Sequence, residues 1–398
     1  MLSLSKKLES VEESQTLATA ARAKQLRGSG VDVISLTAGE PDFSTPRHVK
    51  DSAIRAIEGD FTHYTANQGT RELVDAIIQK FDRENDLRFG PDQVLVSTGA
   101  KQSIYNVLQA ICNPGDEVII LSPYWVSYPE MVKLADAIPI IVKSGIAEGF
   151  RPDVKKIREA ITPRTKAIIL NSPGNPSGIA YSRGELSSLA GAIQETGIFV
   201  ISDEIYEKVI FDQNKHYSIG AFDNVRDQVI TVNGVSKAYA MTGWRIGFAG
   251  GPGAVMQVAA KVQSQATSNA NSIAQKATVA ALNGDQSETH RMTEEFQKRR
   301  DLVWACLSEI PRLELVRPEG AFYILLGVGR FYGRSASGRT INNSTTMADY
   351  LLERHGVALV PGIAFGADDC VRLSYACSRT ELQRGLEKIS GGLRQLLT

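Results

Sequence analysis

Lys237 stands in the small-residue stretch Gly234-Val235-Ser236-Lys237, and Arg245 follows in Met241-Thr242-Gly243-Trp244-Arg245-Ile246-Gly247. Small neighbours let a flat ring lie against the backbone, which a lysine needs if its amine is to form an imine with an aldehyde on that ring. A nearby arginine offers a fixed positive fork for a phosphate carried by the same ring. Two polar blocks precede this one: Asn171-Ser172-Pro173-Gly174-Asn175-Pro176-Ser177-Gly178 and Ser202-Asp203-Glu204-Ile205-Tyr206. Asp203 follows the apolar run Ile198-Phe199-Val200-Ile201, which places a carboxylate at the end of a buried strand; a helix N-cap is the other use for an aspartate there. Arg372 lies in Val371-Arg372-Leu373-Ser374-Tyr375, among apolar strand residues. A buried arginine needs an anion. A bound carboxylate would match its planar fork, and an internal salt bridge would serve as well.

These residues need a scaffold that brings them together. Between about Val94 and Gly250, short Ile/Val-rich runs alternate with amphipathic stretches. The runs are Val94–Ser97, Val118–Ser122, Ile138–Val142, Ala167–Asn171, Phe199–Ser202, Val229–Val232 and Ile246–Ala249; the helical stretches include Lys101–Ile111 and Glu185–Gln194. This rhythm predicts an α/β fold, with a mainly parallel seven-stranded sheet between helices. In such sheets ligands bind beyond the carboxyl ends of the strands. Each of the three polar blocks lies just past a strand end. Gly99-Ala100-Lys101 also marks a strand-to-helix turn, whose free N–H groups suit an anion.

After about Gln286 the pattern changes to a charged helix, Glu288–Leu307, a stretch Leu313–Leu326, a helix Thr345–His355, strands Val357–Val360 and Cys370–Tyr375, and a last helix from Thr380. This predicts a smaller α+β unit over 286–398. Residues 1–46 form an N-terminal arm that packs with it, and 47–285 form the large unit. Ser335–Ser344, rich in Gly, Ser and Asn, reads as a surface loop.

Forty-four Lys and Arg balance forty-four Asp and Glu, so nothing in the charge favours nucleic acid or an anionic membrane as partner. No apolar run approaches the roughly 20 residues of a membrane helix. The N-terminus lacks the apolar core of a signal peptide, so a cytoplasmic protein is expected. Cys112, Cys306, Cys370 and Cys377 form no C-x-x-C pair and read as reduced structural thiols. The five histidines show no metal-ligand spacing, so no protein-bound catalytic metal is expected.

In their order and spacing the three blocks resemble the pyridoxal-phosphate site of class I aminotransferases of fold type I, and the resemblance extends over nearly the whole chain. It implies that Lys237 carries the cofactor as an imine and moves a proton between the substrate α-carbon and the cofactor, while Asp203 faces the protonated ring nitrogen. It implies that Asn175 and Tyr206 bind the ring 3′-oxygen and that Trp125 stacks on the ring. Gly99, Ala100, Lys101, Ser236 and Arg245 would surround the phosphate. Tyr64 would reach the phosphate of a neighbouring subunit in a homodimer; local packing of a loop aromatic is the alternative for it. Arg372 and Gly39 would hold the substrate α-carboxylate. The blocks Ser122–Met131 and Asn233–Gly247 resemble most closely the subgroup acting on aspartate, in which Lys101 and Thr16 match the residues that hold the distal carboxylate. The implied reaction passes an amino group from aspartate to 2-oxoglutarate. Prephenate acceptance, or a C–S lyase or aminocyclopropane-carboxylate synthase activity on the same scaffold, are the alternatives. Cis bonds are implied at Ser122-Pro123 and Asn175-Pro176. Two positions depart from the pattern: Gly234, where many relatives carry a hydroxyl, and Gly174, where Asn is usual.

Overall fold

The computed structural model describes residues 5–336 and 338–397. After a 3-10 turn at Lys6–Ser10, the chain forms helix α1 (Gln15–Gly28), strand β1 (Ile34–Ser35) and helices α2 (Arg47–Glu58) and α3 (Arg71–Asn85). Strand and helix then alternate: β2 (Val94–Ser97), α4 (Ala100–Ile111), β3 (Glu117–Ser122), α5 (Ser127–Leu134), β4 (Ile138–Lys143), α6 (Val154–Ala160), β5 (Thr165–Asn171), α7 (Arg183–Ile193) and β6 (Phe199–Asp203). Strands β7 (Val229–Gly234) and β8 (Gly247–Gly250) complete one seven-stranded sheet in the order β2-β8-β7-β6-β5-β3-β4. Only β8 runs antiparallel to its neighbours. All seven predicted strands are present, none displaced by more than two residues at either end.

The unbroken apolar runs have a physical reason: both faces of the sheet are covered. Along β3, Val118 and Ile120 pack toward Ile104, Val107 and Leu108 of α4. The alternate residues Ile119 and Leu121 pack on the other face, against Ile157 of α6 and Leu186 and Leu189 of α7. Each such side chain contributes about 1.5–3 kcal/mol on burial. Helix α7 starts two residues earlier than its hydrophobic pattern indicates. A capping box sets its start: Ser182 Oγ accepts from the Glu185 N–H, and the Glu185 carboxylate accepts from the Ser182 N–H at 2.8 Å.

Helices α8 (Gly253–Ala266), α9 (Ser272–Asn283) and α10 (Ser287–Leu307) lead to the remaining strands. These are β9 (Glu314–Leu315), β10 (Tyr323–Gly327), β11 (Ser335–Ala336) and β12 (Arg339–Thr340), then, after α11 (Ser344–His355), β13 (Val357–Ala358), β14 (Val360–Pro361) and β15 (Cys370–Ser374). Helix α12 (Arg379–Gln395) follows. A four-stranded antiparallel sheet has the order β14-β15-β10-β9.

The stretch Leu313–Leu326 carries β9 and most of β10 with an irregular connection between them, and two expectations on the segments that follow are corrected. Val357–Val360 splits at Leu359: β13 pairs with β1, while β14 pairs with β15. Ser335–Ser344 is not a plain loop, because β11 and β12 pair as a hairpin and Asn343 caps α11 by accepting from the Thr346 N–H at 2.8 Å.

The opening segment divides its contacts. Arg22 of α1 pairs with Asp349 of α11 at 3.2 Å, whereas Lys7 pairs with Asp136, just past α5, at 2.7 Å. The four cysteines are free thiols, and burial pushes those of Cys112 and Cys377 up to about 12. No helix among the described residues is long and apolar enough to cross a membrane.

Candidate active site

The carboxyl ends of β5, β6 and β7 open into a cavity of about 610 Å³. Asn171 and Asp203 are the last residues of β5 and β6, and Lys237 lies three residues past Gly234, the end of β7. The N-terminal residues of α4 close one side, α1 another, and β10 and β15 the far side. Lys237, Asp203, Tyr206, Asn175, Trp125, Ala100, Lys101, Ser236, Arg245, Gly39, Thr16 and Arg372 all line this one space. They are drawn from positions between Thr16 and Arg372, so only the fold brings them together.

Local structure fixes several of them. Gly99 has φ +86°, and a Cβ there would overlap the Arg245 guanidinium. The side chain of Arg245 therefore crosses directly over the start of α4, donating to Thr242 O at 2.9 Å. Arg245 itself has φ +57°, an uncommon conformation for a residue with a side chain and one that clusters at functional sites. Gly178 has φ +72°, and a Cβ there would meet Pro318 Cβ at 2.6 Å and Tyr323 O at 2.7 Å. That close approach sets the loop bearing Asn175 against the start of β10. Within the loop, the Asn175 N–H donates to Asn171 Oδ1 at 2.8 Å, and Asn171 Nδ2 donates to Asp203 O at 2.9 Å. Ser122-Pro123 and Asn175-Pro176 are cis, as the resemblance implied, and so is Ser172-Pro173.

The charge balance of the cavity is uneven. Lys101, Lys237, Arg245 and Arg372 line it, and none forms an ion pair among the described residues. Arg372 is 2% exposed. It donates to Asn175 Oδ1 and to Thr37 O, both at 2.9 Å, and its buried Nε has no partner. The internal salt bridge considered for Arg372 is therefore not formed. Burial pulls its pKa below the usual value. Lys237 donates to Gly39 O at 2.6 Å; burial, against the pull of Glu40, lowers its ammonium to about 8. Lys101 sits 4.8 Å over the Trp125 ring, its pKa lowered by burial and by Arg245. Two carboxylates face these four cations. Glu40 accepts from Thr242 Oγ1 at 2.6 Å. Asp203 accepts from Tyr128 OH at 2.7 Å and from the Ile205 N–H at 3.2 Å, yet burial still raises it to about 6. Four cations without ion-pair partners, one of them the buried Arg372, and a buried carboxylate only partly offset by Lys237 describe a site built for a multiply anionic ligand that carries one cationic group.

Two expected residues stand apart. Tyr64 is 91% exposed and lies away from the cavity, so the local packing considered for it does not occur. Gly99 lies beneath Arg245 rather than in the wall. The sequence reading missed four residues with roles in the site. Tyr128 lies within Ser122–Met131 and Glu40 beside Gly39, but nothing in the local sequence marks either one. Thr242 could be placed only by its contact with Glu40. Tyr323 gave no sequence signal, because it reads as one more strand aromatic.

Behind β6, away from the cavity, Glu204, Glu207 and His216 bring ligand atoms within 4.8 Å of one another despite lacking metal-ligand spacing in sequence. The buried Lys80 ammonium pairs with Glu207, so the cluster contains its own cation. Burial alone would raise Glu207; Lys80 and His216 instead bring it down to about 2.

Comparison with known proteins adds independent findings. A family model described as aminotransferase class I and II matches residues 31–389. A probable aspartate/prephenate aminotransferase of Rickettsia bellii is 44% identical over 98% of this chain and 99% of its own length. The crystal structure of the aspartate aminotransferase from Rhizobium meliloti superposes with a TM-score of 0.96 at 44% identity, covering 99% of this chain and all of that one. The Thermus thermophilus aspartate aminotransferase with maleate gives a TM-score of 0.91, also at 44% identity, over 98% of this chain and 100% of the other.

Proposed function

The chain belongs to the class I and II aminotransferases, and from that premise we propose that it is a pyridoxal-phosphate enzyme that transfers the amino group of L-aspartate to 2-oxoglutarate. The observation that carries the reading is the set of four cations without ion-pair partners around one cavity that also holds a buried carboxylate. Pyridoxal phosphate fits this set: Arg245, Ser236 and the start of α4 would hold its phosphate, and Asp203 would face its ring nitrogen. When bound, it supplies an aldehyde that takes up amines and a cationic ring that stores the electron pair released at the substrate α-carbon.

The chain's own residues do the rest. Arg372 grips the substrate α-carboxylate through its fork, beside Gly39 and Asn175. Lys101 and Thr16 hold the distal carboxylate; a dicarboxylate, maleate, is named with the Thermus thermophilus structure. Lys237 Nζ, depressed to about 8, has a neutral fraction near pH 7.5 far larger than a surface lysine has, so it can accept the α-proton and return it. Asp203, held by Tyr128, would stabilise positive charge on the ring, Asn175 and Tyr206 would donate toward its 3′-oxygen, and Trp125 would cover one ring face. Helix α1 and the Gly39 loop exclude water. Residues 47–285 would form the cofactor-bearing unit, on which 1–46 and 286–398 close.

The test is an amino-donor screen of the loaded enzyme with 2-oxoglutarate. Aspartate is expected to be the best donor, and a clear preference for aromatic or aliphatic donors would reject the distal-carboxylate assignment. Lys101→Ala should raise KM for aspartate by roughly 10–100-fold, the worth of one charged hydrogen bond, and leave KM for phenylalanine nearly unchanged. The name of the Rickettsia relative favours a second reading, in which prephenate is also an acceptor. Turnover of aspartate with prephenate decides between them.

Because Tyr64 is fully displayed, we assign it to the site of a second copy of the chain. Tyr64→Ala should then bind cofactor weakly. Mixing it with Lys237→Ala, itself inactive, should restore activity, because one hybrid site holds both side chains intact. Mixtures no more active than either parent would remove Tyr64 from that role.

A further inference from the structure

Tyr323 takes no part in the reaction described above, yet it lines the cavity while being wholly buried. Its surroundings are specific. In the β10–β15 ladder, Leu325 stands opposite Arg372, and Tyr323 stands opposite Ser374. Side chains two apart share a face, so Tyr323 and Arg372 are diagonal neighbours on the cavity side. The Arg372 guanidinium carbon lies 4.4 Å from the centre of the Tyr323 ring and 4.9 Å from that of Phe365. Two aromatic faces therefore hold a guanidinium that no carboxylate fixes. At its other end, the Tyr323 hydroxyl lies 3.0 Å from the Tyr206 hydroxyl. Neither hydroxyl has another hydrogen-bond partner among the described residues.

We propose that Tyr323 is a positioning residue joining the two ends of the site: its ring sets the plane of Arg372 for the substrate carboxylate, and its hydroxyl sets the direction of the Tyr206 proton. This rests on the cofactor reading given above. One proton lies between the two hydroxyls, and either can supply it. If Tyr206 is to donate toward the cofactor's 3′-oxygen, its own proton is committed there, so Tyr323 must be the donor to Tyr206. A phenol that accepts one hydrogen bond is a stronger donor of the next. Removing the Tyr323 hydroxyl therefore weakens the bond from Tyr206 to the ring oxygen. The anionic ring oxygen is then less favoured, and the proton on the nitrogen joining Lys237 to the ring is held to higher pH. The charged and titratable groups facing this pair are Lys237, Asp203, Tyr128, Arg372, Arg245 and Glu40, and none of them is altered by the substitution.

Two variants separate the two roles. Tyr323→Phe keeps the ring and loses the hydroxyl; Tyr323→Leu loses both. In full-length protein loaded with pyridoxal phosphate, the pH midpoint of the visible band should rise by roughly 0.3–1 unit in both variants. In cofactor-free protein, calorimetric binding of succinate should be unchanged in Tyr323→Phe and weaker by roughly 3–30-fold in Tyr323→Leu, the worth of one partly desolvated cation–π contact. A general loss of fold would move both readouts in both variants, so unchanged succinate binding by Tyr323→Phe guards against it. An unmoved midpoint in Tyr323→Phe overturns the hydroxyl role, and equal succinate affinities in the two variants overturn the ring role. A wild type that shows no visible band with added cofactor overturns the cofactor reading and the hydroxyl role together. The succinate comparison, made without cofactor, still decides the role of the ring.

Discussion

Lys237→Ala is expected to fold, to bind pyridoxal phosphate without the visible band of covalently held cofactor, and to transaminate aspartate at least about 10⁴-fold more slowly. The rate loss combines two lost roles, attachment and proton transfer, which is why it exceeds that of any other single substitution in the site. The fold should not suffer. Lys237 makes one hydrogen bond, to Gly39 O, and no ion pair. Burial lowers its pKa from 10.5 to about 8, so the folded state disfavours the charged lysine. For a base depressed in this way the cost is fully present below about pH 8 and disappears as pH rises toward 10.5. At pH 7, cofactor-free Lys237→Ala should therefore melt at or above the wild-type temperature, with the advantage shrinking toward pH 10. Thermal melts at the two pH values, the absorbance spectrum and the aspartate half-reaction check the three parts separately. Normal turnover would end the assignment of Lys237.

What the sequence disclosed and what it hid divide along a physical line. The strands of the large sheet were legible because all but the edge strand β4 are largely buried on both faces, and that requirement writes an unbroken apolar run into the chain. The residues at their carboxyl ends were legible for the same reason, since Asp203 and Asn171 interrupt such runs with polar groups. The smaller unit was less legible. Its strands are short, and nothing local says that Val357–Ala358 pairs with Ile34–Ser35 while Val360–Pro361, one residue on, pairs with Cys370–Ser374. That partition is a tertiary decision. Arg372 could be read as a buried cation, but whether a protein carboxylate or a ligand would answer it was not written locally. The fold answers it by surrounding the guanidinium with Tyr323, Phe365, Asn175 and Thr37 O, none of them anionic. Tyr323 was invisible because its importance lies in register: both it and Phe322 are buried, but only Tyr323 lines the cavity.

Asp203→Asn should separate stability from activity in opposite directions. In the cofactor-free protein the Asp203 carboxyl is raised from 3.8 to about 6, chiefly by burial, against the donors Tyr128 and Ile205. Between these values the folded state holds a proton that the unfolded state has released. The stability tied to that proton is present below about pH 4 and is lost as pH rises through 6. Above pH 6 the empty site thus carries a buried anion that the Lys237 ammonium offsets only in part, a cost of about 1–3 kcal/mol. Asparagine has nearly the same shape and no charge, and its amide can still pair with the Tyr128 hydroxyl. Cofactor-free Asp203→Asn should therefore be more stable than wild type at pH 8 by about that amount, and the difference should close by pH 4. With cofactor bound the order reverses, because the ring nitrogen supplies the missing cation only where the carboxylate remains. Pyridoxal phosphate should then raise the melting temperature of wild type more than that of the variant, and turnover in Asp203→Asn should fall by about 10²–10³-fold, as on loss of one preorganised electrostatic contact. The stability difference and the rate loss have one cause, a charge placed for a ligand rather than for the fold. A variant that loses activity without gaining stability at pH 8 would show that the carboxylate is already compensated within the protein, and the opposition of Asp203 to a cationic ring would fail with it.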